Sequence, residues 1–291
     1  MLRPWILAIR PKTLTAAIAP VMVGSALAWK ASSTVFSWWI ALITLVGAIF
    51  IQIGTNLFND VLDYEKGTDT AERLGPKRVV QSGLLSPCAV RRAAYLSFVM
   101  ALGFGIPLVA VGGWPIVAIG MLSLLCGYAY TGGPFSLSYT GTAEIFVILF
   151  FGVIAVSGTF FLQTKSISPD AILAGLQVGL LATLLLAINN ARDRQGDAKS
   201  KKKTLAVRFG QRFATCEVIF LCLMPFMLTL FFLKNHTQAA LFPWLASPLA
   251  GIIVYKTVIL PPGRKYNDLL GKAAGLHLLF SLLLSIGFIW D

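Results

Sequence analysis

Charge is what this chain has least of. Only 12% of its 291 residues are Asp, Glu, Lys or Arg, about half of the roughly 25% usual in soluble domains, while 57% are apolar. Carboxylates are scarcer still, 12 Asp and Glu against 24 Lys and Arg. A water-soluble globule is excluded by that balance. Two histidines, His236 and His277, stand far apart with no His-x-x-x-His pattern and no Ser/His/Asp set, so both read as structural or interfacial groups. Four cysteines, Cys88, Cys126, Cys216 and Cys222, form no Cys-x-x-Cys pair. Three of them fall in or beside apolar segments, where a thiol behaves as a small hydrophobe, so no disulfide framework and no zinc site is expected. The N-terminus shows no small-residue cleavage site after a short apolar core, and the first helix is expected to be retained.

What fills the chain is long apolar runs. Segments of about 18 residues or more suffice to cross a bilayer as helices, and they are expected at 14–30, 38–58, 93–111, 114–131, 142–163, 170–191, 213–233, 239–259 and 269–290. The reading is an all-α polytopic membrane protein, one domain over 1–291. Nine transmembrane helices surround a central apolar cavity, with an Asp-rich cap on the cytoplasmic side.

The net charge of +12 could point to nucleic acid, but its placement points to topology. With nine spans and a cytoplasmic N-terminus, the inside segments hold Arg3, Arg10 and Lys12; Lys66, Arg73, Lys77, Arg78, Arg91 and Arg92; the basic run from Arg192 to Arg212; and Lys256, Arg264, Lys265 and Lys272. Only Lys30, Lys165 and Lys234 remain outside. That is the positive-inside asymmetry of a multi-pass inner-membrane protein, and no nucleic-acid partner is implied.

The scarce acids are concentrated. The run 38–58 ends in Asn56-Leu57-Phe58-Asn59-Asp60-Val61-Leu62-Asp63, and Gly67 then lets the chain turn toward Asp69. Asn59 and Asp63, four apart, share a helix face. Ionisable groups at a membrane helix mouth are costly and usually functional, and converging carboxylate and amide oxygens suit a hard cation such as Mg²⁺. A basic stretch with Lys77 and Arg78 follows, suited to phosphate or to plain topology. Helix 170–191 runs into Asn189-Asn190-Ala191-Arg192-Asp193-Arg194-Gln195-Gly196-Asp197 and then Lys199, Lys201, Lys202 and Lys203. Asn189 precedes Asp193 by four residues, as Asn59 precedes Asp63, so the two helix mouths form an internal repeat. With Glu65 they hold six of the 12 acidic residues.

Two aspartate clusters at one membrane face, each followed by Lys and Arg, suggest two Mg²⁺ ions bridging a diphosphate whose departure they would ease. An apolar cavity would hold an isoprenyl tail. The connection from Tyr128 through Tyr130 to Tyr139 carries no basic residue. It reads as an interfacial tyrosine belt or as an aromatic wall for a planar or cationic ligand. Glu144, the lone acid there, is either a helix N-terminal charge or a site residue.

Several strings resemble the UbiA-type intramembrane prenyltransferases, and within them the branch acting on 1,4-dihydroxy-2-naphthoate. They are Arg10-Pro11-Lys12-Thr13-Leu14; Asn56-Leu57-x-Asn59-Asp60-x-x-Asp63 with Lys66-Gly67-x-Asp69; Gly75-Pro76 with Arg78; Tyr130-Thr131-Gly132-Gly133-Pro134; and Asn189-Asn190-x-Arg192-Asp193 leading to Lys203-Thr204-Leu205-Ala206-Val207-Arg208-Phe209-Gly210. The resemblance spans nearly the whole chain. It implies transfer of a polyprenyl group from a polyprenyl diphosphate to the naphthoate ring, with decarboxylation, in menaquinone biosynthesis. Asp63, Asp69, Asp193 and Asp197 would be the main Mg²⁺ and diphosphate ligands, with Asp60 and Asn59 supporting. Asn56, Asn189, Lys77, Arg78, Arg192 and Lys202 or Lys203 would contact the diphosphate, and Tyr130, Tyr139 and Glu144 the acceptor. Gly67 stands where the wider superfamily has an acid eight residues after Asn59, and Asp69 follows two further on. The rivals are a sister enzyme acting on 4-hydroxybenzoate, homogentisate or haem, and a cation-coupled transporter. Transporters typically place their carboxylates near the midplane; here the acids gather at one end.

Overall fold

In hydrocarbon every backbone N–H and C=O must find its partner within the segment, so the apolar runs fold as helices. The structure, a computed structural model, describes residues 2–69 and 73–291. Among the described residues ten longer helices follow in chain order, besides single turns at Pro11–Thr13 and Leu137–Thr140: α1 (Leu2–Ile9), α2 (Thr15–Ala31), α3 (Trp38–Glu65), α4 (Pro87–Gly112), α5 (Trp114–Ala129), α6 (Ala143–Thr164), α7 (Pro169–Lys199), α8 (Leu205–Phe232), α9 (Thr237–Ile259) and α10 (Tyr266–Trp290). Among the described residues there is no strand. Helix starts carry the expected caps: the hydroxyls of Ser37, Ser86 and Thr204 each accept from a backbone N–H three residues on, at 3.3 Å. Pro87 and Pro169 occupy first-turn positions, where a missing N–H costs nothing.

Of the nine expected spans, seven to eight are supported by length and composition. Seven helices among the described residues, α3, α4 and α6 to α10, are long and apolar enough to cross a membrane. An eighth is reached if the bent amino-terminal pair, Arg3–Thr13 with Thr15–Ala31 at 48°, is one span. α5 has 16 residues, about 24 Å of helix against a hydrocarbon core of about 30 Å. Helix ends also moved. α3 runs past residue 58 to Glu65 and α7 past 191 to Lys199, so Asp60, Asp63, Asp193 and Asp197 all lie on helix, in line with the shared helix faces their spacing implies.

α7 is the most buried of the spanning helices. Its Ala171, Ala174, Val178, Leu181, Leu184 and Ile188 form the middle of the main core, with residues of α2, α6, α8, α9 and α10 around them. A smaller core joins Leu57, Phe58 and Val61 of α3 to Val79, Val80, Val90 and Ala94. There Phe58 meets Tyr95, Phe98 and Tyr128 edge-on at 5.1–5.3 Å. This second core fastens the chain after α3 onto the end of that helix. Between α2, α3, α4, α5 and α6 lies an apolar cavity of about 660 Å³, lined among others by Pro20, Ile51, Ile106, Gly120, Phe146 and Phe150, with Tyr130 on the wall.

Candidate active site

The last turns of α3 supply the first half of the site. Asn59 and Asp63, one turn apart, are bonded through Asn59 Nδ2 and Asp63 Oδ2 at 2.9 Å. Asn59 Nδ2 also reaches Thr131 Oγ1 at 2.7 Å, and Arg78 donates to Asn59 Oδ1 at 2.7 Å. Asp63 Oδ1 accepts from the Tyr139 hydroxyl at 2.9 Å and from Thr68 at 3.2 Å, and it lies 3.4 Å from Lys202 Nζ. Arg78 approaches Asp63 Oδ2 at 3.6 Å and Asp69 Oδ2 at 3.3 Å, and Asp69 is paired with Arg73 as well. Burial pushes the Asp69 carboxyl up to about 6 although Arg73 opposes the shift. Burial, and then the charge of Asp63, raises the Tyr139 phenol, which keeps it a donor.

α7 supplies the second half. Arg192, nearly inaccessible, grips Asp193 with two bonds of 2.8 and 2.6 Å and donates to Asn267 Oδ1 at 2.7 Å. Asn267 Nδ2 in turn holds the Leu74 carbonyl at 2.9 Å, so α10 ties α7 to the loop after α3. A Cβ at Gly75 would stand 2.7 Å from Arg192 Nη2, so a side chain there would have to displace that guanidinium. Asp197 makes no side-chain hydrogen bond among the described residues and lies in the field of Lys202, Asp193 and Asp63. The two halves meet at Lys202, whose backbone N–H bonds the Asp197 carbonyl at 2.9 Å while its ammonium reaches Asp63.

Other sequence-proposed residues lie elsewhere. Asp60, 1% exposed, accepts the Val79 and Val80 N–H groups at 3.3 and 3.1 Å, so both its oxygens serve the turn after α3. Asn56 bonds the Ile9 carbonyl at 2.8 Å and Thr13 Oγ1 at 2.9 Å, clamping the amino-terminal segment. Lys77 is exposed and no partner reaches it among the described residues. Lys203 is exposed too, with its backbone N–H on the Tyr139 carbonyl at 2.9 Å. The Asn189 side chain makes no hydrogen bond among the described residues; Asn190 instead meets buried Glu144 at 2.9 Å. The repeat therefore holds in spacing but not in contact, since Asp63 takes an amide and Asp193 a guanidinium.

Sequence reading missed Arg73, Lys66, Thr131 and Asn267 as parts of this site. Lys66 donates to the Thr131 carbonyl and the Ser136 hydroxyl. Only its place inside the first motif could have singled it out. Arg10, in the left-handed region at φ 55°, bonds the Asn56 carbonyl at 3.4 Å and faces the charges of Asp60, Asp63 and Asp69. His236 lies 3.3 Å from Asp170, and His277 is fully buried in α10, both remote from this cluster.

The profile of the UbiA prenyltransferase family matches residues 17–268, which include both acidic helix ends and the cavity. The chain belongs to that family. Two relatives are each named a 1,4-dihydroxy-2-naphthoate octaprenyltransferase. The one from Haemophilus influenzae is 33% identical, over 98% of this chain and 96% of its own length. The one from Escherichia coli is 37% identical, over 77% and 76%. Among solved structures, a UbiA homolog from Archaeoglobus fulgidus bound to GPP and Mg²⁺ shares the fold at a TM-score of 0.66, with 16% identity over 99% of this chain and 100% of that one.

In this UbiA-family protein the donor set is compatible with a divalent cation of the Mg²⁺ kind. The available atoms are hard carboxylate and amide oxygens, and Asp69 Oδ2 is buried without a hydrogen bond. Among the described residues, however, no three His, Cys, Asp or Glu side chains converge closely enough to hold an ion. Asp63, Asp69 and Asp193 are each drawn to an arginine or lysine instead.

Proposed function

We propose that this protein transfers a polyprenyl group from a polyprenyl diphosphate to 1,4-dihydroxy-2-naphthoate, releasing pyrophosphate and carbon dioxide, in menaquinone biosynthesis. The observation that carries the reading is the meeting of two acid-and-base helix ends at Lys202, beside an apolar cavity of about 660 Å³. One end of such a site suits a polyanion and the other a hydrocarbon tail. The naphthoate acceptor rests on the names of the relatives.

Arg78, Arg192 and Lys202 would take diphosphate oxygens, leaving the carboxylates they now neutralise. Asp63, Asp69, Asp193 and Asp197 would then hold Mg²⁺, with Asn59 steadying Asp63. Bound there, Mg²⁺ supplies neutralisation of the charge that develops on the leaving diphosphate. The basic side chains add to it as the allylic C–O bond breaks. The cavity wall keeps water from the allylic cation, and aromatic faces such as Phe146 and Phe150, stacked at 6.3 Å, lower its energy. The naphthoate ring supplies the electron pair for the new C–C bond, and loss of carbon dioxide returns a pair to the ring. Tyr130 and Glu144 would contact the acceptor. The membrane reading is completed by nine crossings, counting α5 and the bent amino-terminal pair, with the N-terminus and the acidic ends on the cytoplasmic side of the inner membrane.

Membranes carrying the protein, incubated with a polyprenyl diphosphate and Mg²⁺, should prenylate 1,4-dihydroxy-2-naphthoate and release pyrophosphate. They should leave 4-hydroxybenzoate and homogentisate unchanged. Excess chelator should stop turnover and added Mg²⁺ restore it. Product with another acceptor would move the protein to a sister branch. Cation uptake without pyrophosphate would remove the enzyme reading altogether.

A further inference from the structure

Tyr139 lies in the turn-rich connection that a sequence reading assigns to the acceptor, yet its surroundings are those of the anion end. Its hydroxyl donates to Asp63 Oδ1 at 2.9 Å and sits 3.0 Å from Thr68 Oγ1. The Lys66 ammonium stands 4.6 Å from the centre of its ring, and the Lys202 ammonium 4.8 Å. Its backbone carbonyl accepts from Lys203 N–H at 2.9 Å, which pins the segment after α7 to the segment after α5. One side chain thus touches charged groups from two separate segments, the end of α3 and the turn after α7.

Two ammonium groups close enough to share one ring repel each other. The negative face of a phenol ring offsets part of that cost for both. The hydroxyl adds a donor to Asp63, which keeps that carboxylate aimed at the same spot. We propose that Tyr139 is a positioning residue for the diphosphate end of the site. Its ring seats Lys66 and Lys202, and its hydroxyl orients Asp63, so that both cations are preset for one polyphosphate. This makes Lys66 a further diphosphate-binding residue and takes Tyr139 away from the acceptor wall. The inference rests on the diphosphate reading above.

The test uses the full-length protein in nanodiscs with Mg²⁺, and the variants Tyr139→Phe and Tyr139→Leu. Binding of inorganic pyrophosphate is measured by calorimetry, alongside KM for the polyprenyl diphosphate and for the naphthoate. Tyr139→Phe keeps the ring and should hold pyrophosphate affinity within about threefold, while raising the Mg²⁺ concentration needed for half-maximal turnover. Tyr139→Leu removes the ring as well, and loss of two ring–ammonium contacts should weaken pyrophosphate binding about tenfold. The KM for polyprenyl diphosphate should rise in step while that for the naphthoate stays unchanged. A naphthoate KM that rises while pyrophosphate binding is untouched would return Tyr139 to the acceptor. Equal pyrophosphate affinity in the Phe and Leu variants would remove the ring's part. Failure of the unmodified protein to bind pyrophosphate would instead strike the diphosphate reading itself.

Discussion

Asp60 and Asp63 stand three residues apart on the end of α3, and their carboxylates face different tasks. Asp60 is spent on two backbone N–H groups, whereas Asp63 collects a tyrosine, a threonine, an asparagine and two cations. Asp60→Asn turns one acceptor into a donor facing an N–H, and leaving such a buried group unpaired costs about 1–3 kcal/mol. The expected result is a lower thermal midpoint in detergent with turnover largely kept in the protein that remains folded. Asp63→Asn should do the reverse, removing a charge from the reacting end and cutting turnover on the order of 10²–10³-fold. Pyrophosphate release and a melting curve on the same samples check both. The sequence offered Asp60 as a supporting ligand beside Asp63, because spacing shows a shared helix end but not which backbone arrives beside it. The lysine run poses the same problem. Lys201 adopts φ 58°, and the turn it makes presents Lys202 to Asp63 while Lys201 and Lys203 stay exposed.

At the level of elements, the contact of α6 with α7 sets where the second acidic end sits. Gly175 and Gly179, four apart on α7, meet α6 where its winding loosens to a π-type turn over Leu149–Val153. A Cβ on Gly152 would stand 2.3 Å from the Gly175 carbonyl, and one on Gly179 would stand 2.5 Å from the Ile148 carbonyl. Small residues at this spacing let backbones pack closely where no hydrophobic force separates helix from lipid. Gly175→Val should therefore cost about 1–3 kcal/mol through overpacking and loosen the 2.9 Å bond of Asn190 to Glu144. Gly251→Ala in α9, where no neighbour lies within 4 Å, should be neutral or slightly stabilising. Denaturation curves of the two variants compare them directly. The π-turn left no trace in hydropathy, since it arises from the fit between two helices and not from either alone.

For the whole molecule, the charge placement argues for one orientation, and it is open to labelling. In a variant stripped of Cys88, Cys126, Cys216 and Cys222, a cysteine at Lys201 or Arg264 should react with an impermeant thiol reagent only after the membrane is opened. One at Lys165 should react from outside in intact cells. The reverse pattern would invert the topology. Seven to eight apolar helices of adequate length were legible from runs of apolar residues, because hydrocarbon admits few other backbone arrangements. The ninth expected span, α5, has the composition of a crossing over 16 residues but is shorter than the others.

Taken alone, the chain determined its helical, membrane-embedded class, its family and the two acidic helix ends, since each is written in local composition or in spacing along a single helix. Tertiary structure decided which oxygens remain for a ligand, which lysine turns inward and which arginine each aspartate meets. Those outcomes depend on residues such as Asn59 and Thr131, Arg192 and Asn267, or Asp63 and Lys202. They lie far apart in sequence, and only packing brings them within hydrogen-bond reach.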